Sequence, residues 1–108
     1  MKLSVIIPAH GRTHLLIRCL KSLGPPVQDG AGEYEVCVVD DGSGIDEAAV
    51  REAVSPGYDL IWRSFGEDRG RAAARNEGVA STSGGIVVFL DSDMEARPGF
   101  LAAHLDAH

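Results

Sequence analysis

Four short runs of apolar residues divide the chain and predict the strands of one sheet. The run at 86–90 is apolar throughout and follows two glycines, and the run at 34–39 is apolar from Val36 onward. Short runs that are rich in β-branched residues and bounded by turn residues are typical of buried strands. The predicted strands are residues 3–8, 34–39, 58–63 and 86–90.

Segments with helical spacing separate these runs. One predicted helix carries its apolar face at Leu15, Leu16, Cys19, Leu20 and Leu23. The other predicted helices are 45–54 with Ser43 as the N-cap, 70–81, and a last one from Pro98 to about residue 107. Because strands alternate with helices, the pattern predicts an α/β fold with a parallel sheet. The length of 108 residues fits one domain, residues 1–108.

Two carboxylates follow the most apolar run. Asp91 and Asp93 come directly after residues 86–90, which the pattern predicts to be a strand buried on both faces. An unpaired carboxylate is too costly to bury, so both side chains should lie just outside the sheet. Carboxylate oxygens at this position indicate either a site for Mg²⁺ or Mn²⁺ or an ordinary acidic turn.

Polar side chains also follow two other predicted strands. His10 and Arg12 come after the first strand, and Asp40 and Asp41 come after the second. In a parallel sheet, ligands bind outside the carboxyl ends of the strands. We therefore expect one binding site at this edge, with Arg12 interpreted as an exposed loop or helix-start residue.

The overall charge limits the classes of partner. A formal charge of −6 argues against non-specific nucleic-acid binding, which needs a basic surface. No apolar run approaches the roughly 18 residues that a membrane span needs, so we expect no transmembrane segment. Cys19 and Cys37 lie in apolar surroundings without metal-ligand spacing, which predicts reduced thiols in a cytoplasmic protein.

Four segments of the chain resemble, in order, the inverting family-2 glycosyltransferases with the GT-A fold. They are SVIIPAH at 4–10, YEVCVVDDGS at 34–43, RGRAAARNEG at 69–78 and FLDSD at 89–93. The resemblance covers nearly the whole chain. It implies a Rossmann-like three-layer sandwich with strand order 3-2-1-4, truncated to the donor-binding half of a GT-A domain.

The resemblance also implies roles for individual residues. Pro8, Ala9 and His10 would line the base and ribose of a nucleotide-sugar donor. On the family resemblance, a UDP-sugar is the expected donor. Asp41, with Asp40 beside it, would accept a hydrogen bond from the nucleobase. A carboxylate suits either the N–H of uracil or the N–H groups of guanine. Arg71 would lie near the donor's phosphates, and Asp93 would ligate the divalent metal, Mn²⁺ or Mg²⁺. Asp91 would contact the ribose or, through water, the metal.

Two alternative functions and two further expectations remain open. In a haloacid-dehalogenase-like phosphatase, Asp91 would be the nucleophile and Asp93 the acid/base, and a third class is a non-catalytic nucleotide-binding module. In the resembled family the catalytic base lies well downstream of the Asp-x-Asp motif, so we expect no base within this chain. The 86–90 strand would then lie at an edge without charged or proline residues, which predicts self-association through that edge.

Overall fold

The computed structural model describes residues 2–25, 27–28 and 30–107, and its strands and helices alternate as predicted. In chain order they are β1 (Leu3–Ala9), α1 (Thr13–Ser22), β2 (Tyr34–Asp40), α2 (Glu47–Val54), β3 (Asp59–Ser64), α3 (Arg71–Ser81), β4 (Ile86–Phe89) and α4 (Phe100–Asp106). Every predicted element is present, and its ends differ from the prediction by one or two residues at most.

The sheet has the order β3-β2-β1-β4, and all neighbouring strands are parallel. In the register of the sheet, Ile6 of β1 lies opposite Cys37 of β2 and Phe89 of β4. The chain therefore enters the centre of the sheet, builds outward to β3, and returns to the other side of β1. This order confirms the 3-2-1-4 arrangement that the family resemblance implied.

Helices cover both faces of the sheet and complete a three-layer sandwich. The larger core cluster joins α1, α2 and α4 to one face, with Leu16, Val50 and Leu101 all fully buried. On the other face, Ile6 packs with Ala74 of α3. Here α3 lies directly on the sheet, because a Cβ at Gly78 would come within 2.3 Å of the Ile6 Cγ2. Cys19 and Cys37 belong to the clusters on opposite faces and are both free, which confirms the expectation of unpaired thiols.

A buried carboxylate fixes the start of β4 beside β1 and β2. Glu35 accepts hydrogen bonds from the Ser4 hydroxyl at 2.8 Å and the Ser83 backbone N–H at 2.9 Å. The Ser4 hydroxyl oxygen in turn accepts the Gly84 N–H. Burial alone would raise the pKa of Glu35, but these hydrogen bonds and the nearby Lys2 ammonium outweigh it and lower the pKa. The connection from α3 to β4 is thereby held to the first two strands.

The structure corrects the predicted start of α2. Asp46, not Ser43, is the N-cap residue, and its side chain accepts the Ala49 N–H. Ser43 does not take that role, because its hydroxyl oxygen accepts the Gly11 N–H while its hydroxyl and its N–H donate to Asp40. The serine belongs to the turn that precedes the helix.

The prediction that β4 is buried on both faces is wrong. Ile86 and Val88 point into the larger core cluster, but Val87 is 39% exposed and Phe89 is 47% exposed. On that face α3 packs against β1, β2 and β3 and leaves much of β4 exposed. The guanidinium of Arg75 on α3 lies 5.3 Å from the centre of the Phe89 ring.

Self-association through the β4 edge stays a prediction, which a charged side chain on this strand would test. Val88 is in the core, so a charge there would test folding; Val87→Lys instead places a charge on the exposed face of the edge strand. We expect sedimentation to show an oligomer for the unaltered chain and a shift toward monomer for Val87→Lys. Val79→Lys is the matched control, because Val79 is similarly exposed but lies on α3. A monomer at all concentrations would contradict the prediction.

Candidate functional site

A cavity of about 560 Å³ opens at the carboxyl ends of β1, β2 and β4. It brings together seven of the eight residues that the sequence analysis placed at a ligand site. The residues that line it are Pro8, Ala9, His10, Arg12, Asp41, Asp68, Gly70, Arg71, Asp91, Ser92 and Asp93. The predicted residue that does not line it is Asp40.

Asp41 holds the loop before α3 against the end of β2. It is 7% exposed, and its Oδ1 accepts the Arg69 N–H at 2.7 Å while its Oδ2 accepts the Gly70 N–H at 3.0 Å. The Arg69 N–H is the largest influence on the Asp41 pKa, and together with the Asp68 side chain and the Gly70 N–H it outweighs burial and lowers that pKa. The carboxylate is therefore an ionised acceptor at the wall of the cavity.

Asp40 has a different place from the one predicted for it. Its side chain is buried and turns into its own loop, where it accepts the N–H groups of Ser43 at 3.0 Å and Ile45 at 2.7 Å. These contacts occupy both carboxylate oxygens and close the turn after β2. Asp40 shapes the loop that carries Asp41, and its carboxylate does not reach the cavity.

His10 lies between the two acidic ends of the cavity, at the end of β1. Its Nδ1 is 2.8 Å from the carbonyl oxygen of Asp41. Because a carbonyl oxygen only accepts, Nδ1 must be the protonated nitrogen, and Nε2 is the nitrogen available to a ligand. The next residue, Gly11, donates its N–H to the Ser43 hydroxyl at 2.8 Å, which ties the β1 loop to the β2 loop.

Asp91 and Asp93 lie at the β4 end of the cavity. Asp91 Oδ1 is 3.5 Å from the Arg71 guanidinium, and both side chains are partly exposed, so the pair is weak and can be rearranged. The thiol of Cys19 points at the Asp91 carbonyl oxygen and ties α1 to this turn. Within the described residues, no group of three or more His, Cys, Asp or Glu side chains could hold a metal without other ligands.

Four residues that line the cavity were missed or given another role from the sequence: Arg12, Asp68, Gly70 and Ser92. Arg12 does start a helix, as predicted, but it also lines the cavity, and it has a left-handed backbone with φ 49°. Non-glycine residues in this conformation are strained and concentrate at functional sites. Asp68 was not singled out at all. The available signal was an acidic side chain directly before the Arg69-Gly70 turn into α3.

The model of the family described as Glycosyl transferase family 2 matches residues 4–108. The chain belongs to glycosyltransferase family 2. This membership confirms the resemblance inferred from the four segments and decides against the haloacid-dehalogenase-like interpretation of Asp91 and Asp93.

Individual relatives and solved structures agree with the family. An uncharacterized glycosyltransferase, YfnE of Bacillus subtilis (strain 168), is 38% identical over the whole chain, which spans 27% of YfnE. The structure of S. aureus TarS 1–349 has a TM-score of 0.82 at 31% identity and covers the whole chain, which spans 33% of TarS 1–349. The mannosyltransferase PcManGT from Pyrobaculum calidifontis, solved with GDP-Man and Mn²⁺, has a TM-score of 0.78 at 27% identity. This match covers 94% of the present chain and 30% of the PcManGT chain. The chain thus spans about a third of the length of these proteins or less.

One further structural property bears on partners. Across residues 2–25, 27–28 and 30–107, none of the helices combines the length and the apolar character that crossing a membrane requires.

Proposed function

We propose that this chain binds the nucleoside diphosphate sugar donor of an inverting glycosyltransferase. The observation that carries the proposal is the single cavity that joins Asp41 on one side of β1 to Asp91 and Asp93 on the other. Family membership and the solved complexes of related proteins support this choice of ligand class. TarS 1–349 has been solved in complex with UDP-GlcNAc, and PcManGT with GDP-Man and Mn²⁺.

The spacing of the strands suits such a ligand. Neighbouring strands are about 4.8 Å apart, so the ends of β2 and β4 are separated by roughly 10 Å across β1. In this placement the base of the nucleotide would lie at Asp41 and its ribose beside Pro8, Ala9 and His10. The diphosphate would reach the β4 turn. Uridine and guanosine both offer an N–H for the Asp41 carboxylate.

Asp91 and Asp93 fit a divalent cation. Their carboxylates are hard oxygen donors, and two carboxylates with substrate phosphates are the usual protein environment of Mg²⁺ and a suitable one for Mn²⁺. When bound, the metal would neutralise charge that builds on the departing diphosphate. Arg71 and Arg12 supply two further positive charges on the cavity wall. The Arg71–Asp91 pair keeps the Arg71 guanidinium beside this end of the cavity.

The chain's own residues account for donor binding. We assign no catalytic base among them, and transfer of the sugar to an acceptor hydroxyl is proposed for the whole protein. A non-catalytic nucleotide-binding module is the second candidate, since the same cavity would serve it. A cytoplasmic location also stays a prediction, supported by the two free cysteines.

Metal-linked binding of a nucleoside diphosphate is the prediction that tests this function. We expect calorimetry with UDP and GDP to show at least one of them binding about tenfold more tightly with Mn²⁺ than with a chelator, because Asp91 and Asp93 would hold the cation and its charge would offset that of the phosphates. Asp93→Asn should remove this difference. Asp59→Asn is the matched control, since Asp59 is an exposed carboxylate at the opposite edge of the sheet, where β3 begins.

The possible results separate the parts of the proposal. Equal affinity with Mn²⁺ and with chelator would contradict the metal role of Asp91 and Asp93. No binding of either nucleotide under both conditions would contradict donor binding itself. In the whole protein, sugar release from a donor distinguishes a transferase from a binding module.

A further inference from the structure

We propose that Asp41 and Asp68 together select guanine as the base of the donor, in preference to uracil. This inference rests on the proposed function and narrows the substrate to guanosine diphosphate sugars. The two side chains line the same end of the cavity, where the base of a bound nucleotide would lie.

The two carboxylates converge on one point. Asp41 Oδ2 and Asp68 Oδ1 are each 3.0 Å from the same backbone nitrogen, that of Gly70. The single Gly70 N–H cannot satisfy both carboxylates, and their like charges repel each other. A ligand with two neighbouring N–H groups would supply one donor to each of them.

Hydrogen-bond donors are scarce at this end of the cavity. The Arg69 and Gly70 N–H groups already donate to Asp41. A neutral His10 has its proton on Nδ1, which donates to the Asp41 carbonyl and leaves Nε2 as an acceptor. Among the described residues, no asparagine or glutamine lines the cavity. Arg71 is paired with Asp91 at the β4 end, and Arg12 lines the cavity from the start of α1. The two side chains beside Gly70, Asp41 and Asp68, are therefore both acceptors.

Only one common base matches two neighbouring acceptors. Guanine presents the N1–H and the exocyclic N2–H₂ side by side on its Watson–Crick edge. Uracil presents one N–H between two carbonyl oxygens, so a second carboxylate would face a carbonyl. Cytosine and adenine each place an acceptor nitrogen beside their amino group. A site that leaves an acceptor facing another acceptor rejects that ligand, because both groups lose their hydrogen bonds to water.

The test compares GDP and UDP by calorimetry on the purified protein in the presence of Mn²⁺. We expect GDP to bind at least about tenfold more tightly than UDP, the scale of one misplaced buried hydrogen bond. Asp68→Asn should remove or reverse this preference, because its amide can donate to a uracil carbonyl. Asp68 is exposed and lies in a loop, so the variant should fold, and circular dichroism checks this.

Glu67→Gln is the control for loss of one negative charge at the neighbouring position, since the exposed Glu67 does not line the cavity. It should leave the ratio of GDP to UDP affinity unchanged. Tighter or equal binding of UDP by the unaltered protein would overturn the inference, as would the same change of ratio in Asp68→Asn and Glu67→Gln. Binding of neither nucleotide would overturn the proposed function and this inference with it.

Discussion

Gly42→Ala is expected to destabilise the protein by about 2–5 kcal/mol and to abolish nucleotide binding at the cavity. Gly42 has φ 77°, and a Cβ there would lie 2.3 Å from both the Asp68 nitrogen and the Glu67 carbonyl carbon. These are backbone atoms, so no side-chain rotation can relieve the overlap. The loop at 67–70 would have to move away from β2, and Asp41 would lose the N–H groups of Arg69 and Gly70.

Gly44→Ala provides the control for backbone strain alone. Gly44 also has a left-handed backbone, with φ 70°, but a Cβ there would meet nothing within 4 Å. Its substitution should cost only about 1–2 kcal/mol, the price of a non-glycine residue in this conformation. Chemical denaturation and calorimetry measure the two effects. Equal losses of stability in the two variants would show that the close approach of the 67–70 loop contributes nothing.

The architecture could be predicted because each element carries a local signal. The apolar runs at β1, β2 and β4 and the helical spacing in α1 depend on neighbouring residues only. The burial of β4 could not be predicted in the same way. The five consecutive apolar residues at 86–90 fit a strand covered on both faces, but whether a helix lies over the second face depends on where α3 packs. That position follows from the contact of Gly78 with Ile6, far apart in sequence.

Most of the residues that line the candidate site could be predicted from the sequence, but not all of them. Parallel strands bring their carboxyl ends to one edge, so Asp41, Asp91 and Asp93 could be placed together from the sequence. Asp68 and Arg12 could not, because they belong to loops whose course depends on contacts distant in sequence. The 67–70 loop is held by Asp41 and lies close to Gly42, and neither contact leaves a pattern in the local sequence.

The local sequence also does not distinguish the neighbouring carboxylates Asp40 and Asp41, which have different places in the structure. Asp41→Asn should weaken nucleotide binding by roughly 1.5–3 kcal/mol, or about 10- to 150-fold, with or without Mn²⁺. The amide has one acceptor oxygen in place of two, so it cannot hold both the Arg69 and Gly70 N–H groups and also accept from a base. Calorimetry at a temperature where the variant is folded measures the loss.

Asp40→Asn is the matched control, with the same change of charge one residue earlier. It should lower the free energy of unfolding by about 1–3 kcal/mol, because the single amide oxygen cannot accept both the Ser43 and the Ile45 N–H groups. Its folded molecules should keep their affinity for the nucleotide, since the Asp40 carboxylate faces its own turn. A similar loss of affinity in both variants would mean that Asp41 acts only by holding the loop, and the assignment of its carboxylate to the base would be wrong. A loss confined to Asp41→Asn, independent of the metal, would separate the base end of the cavity from the phosphate end at Asp91 and Asp93.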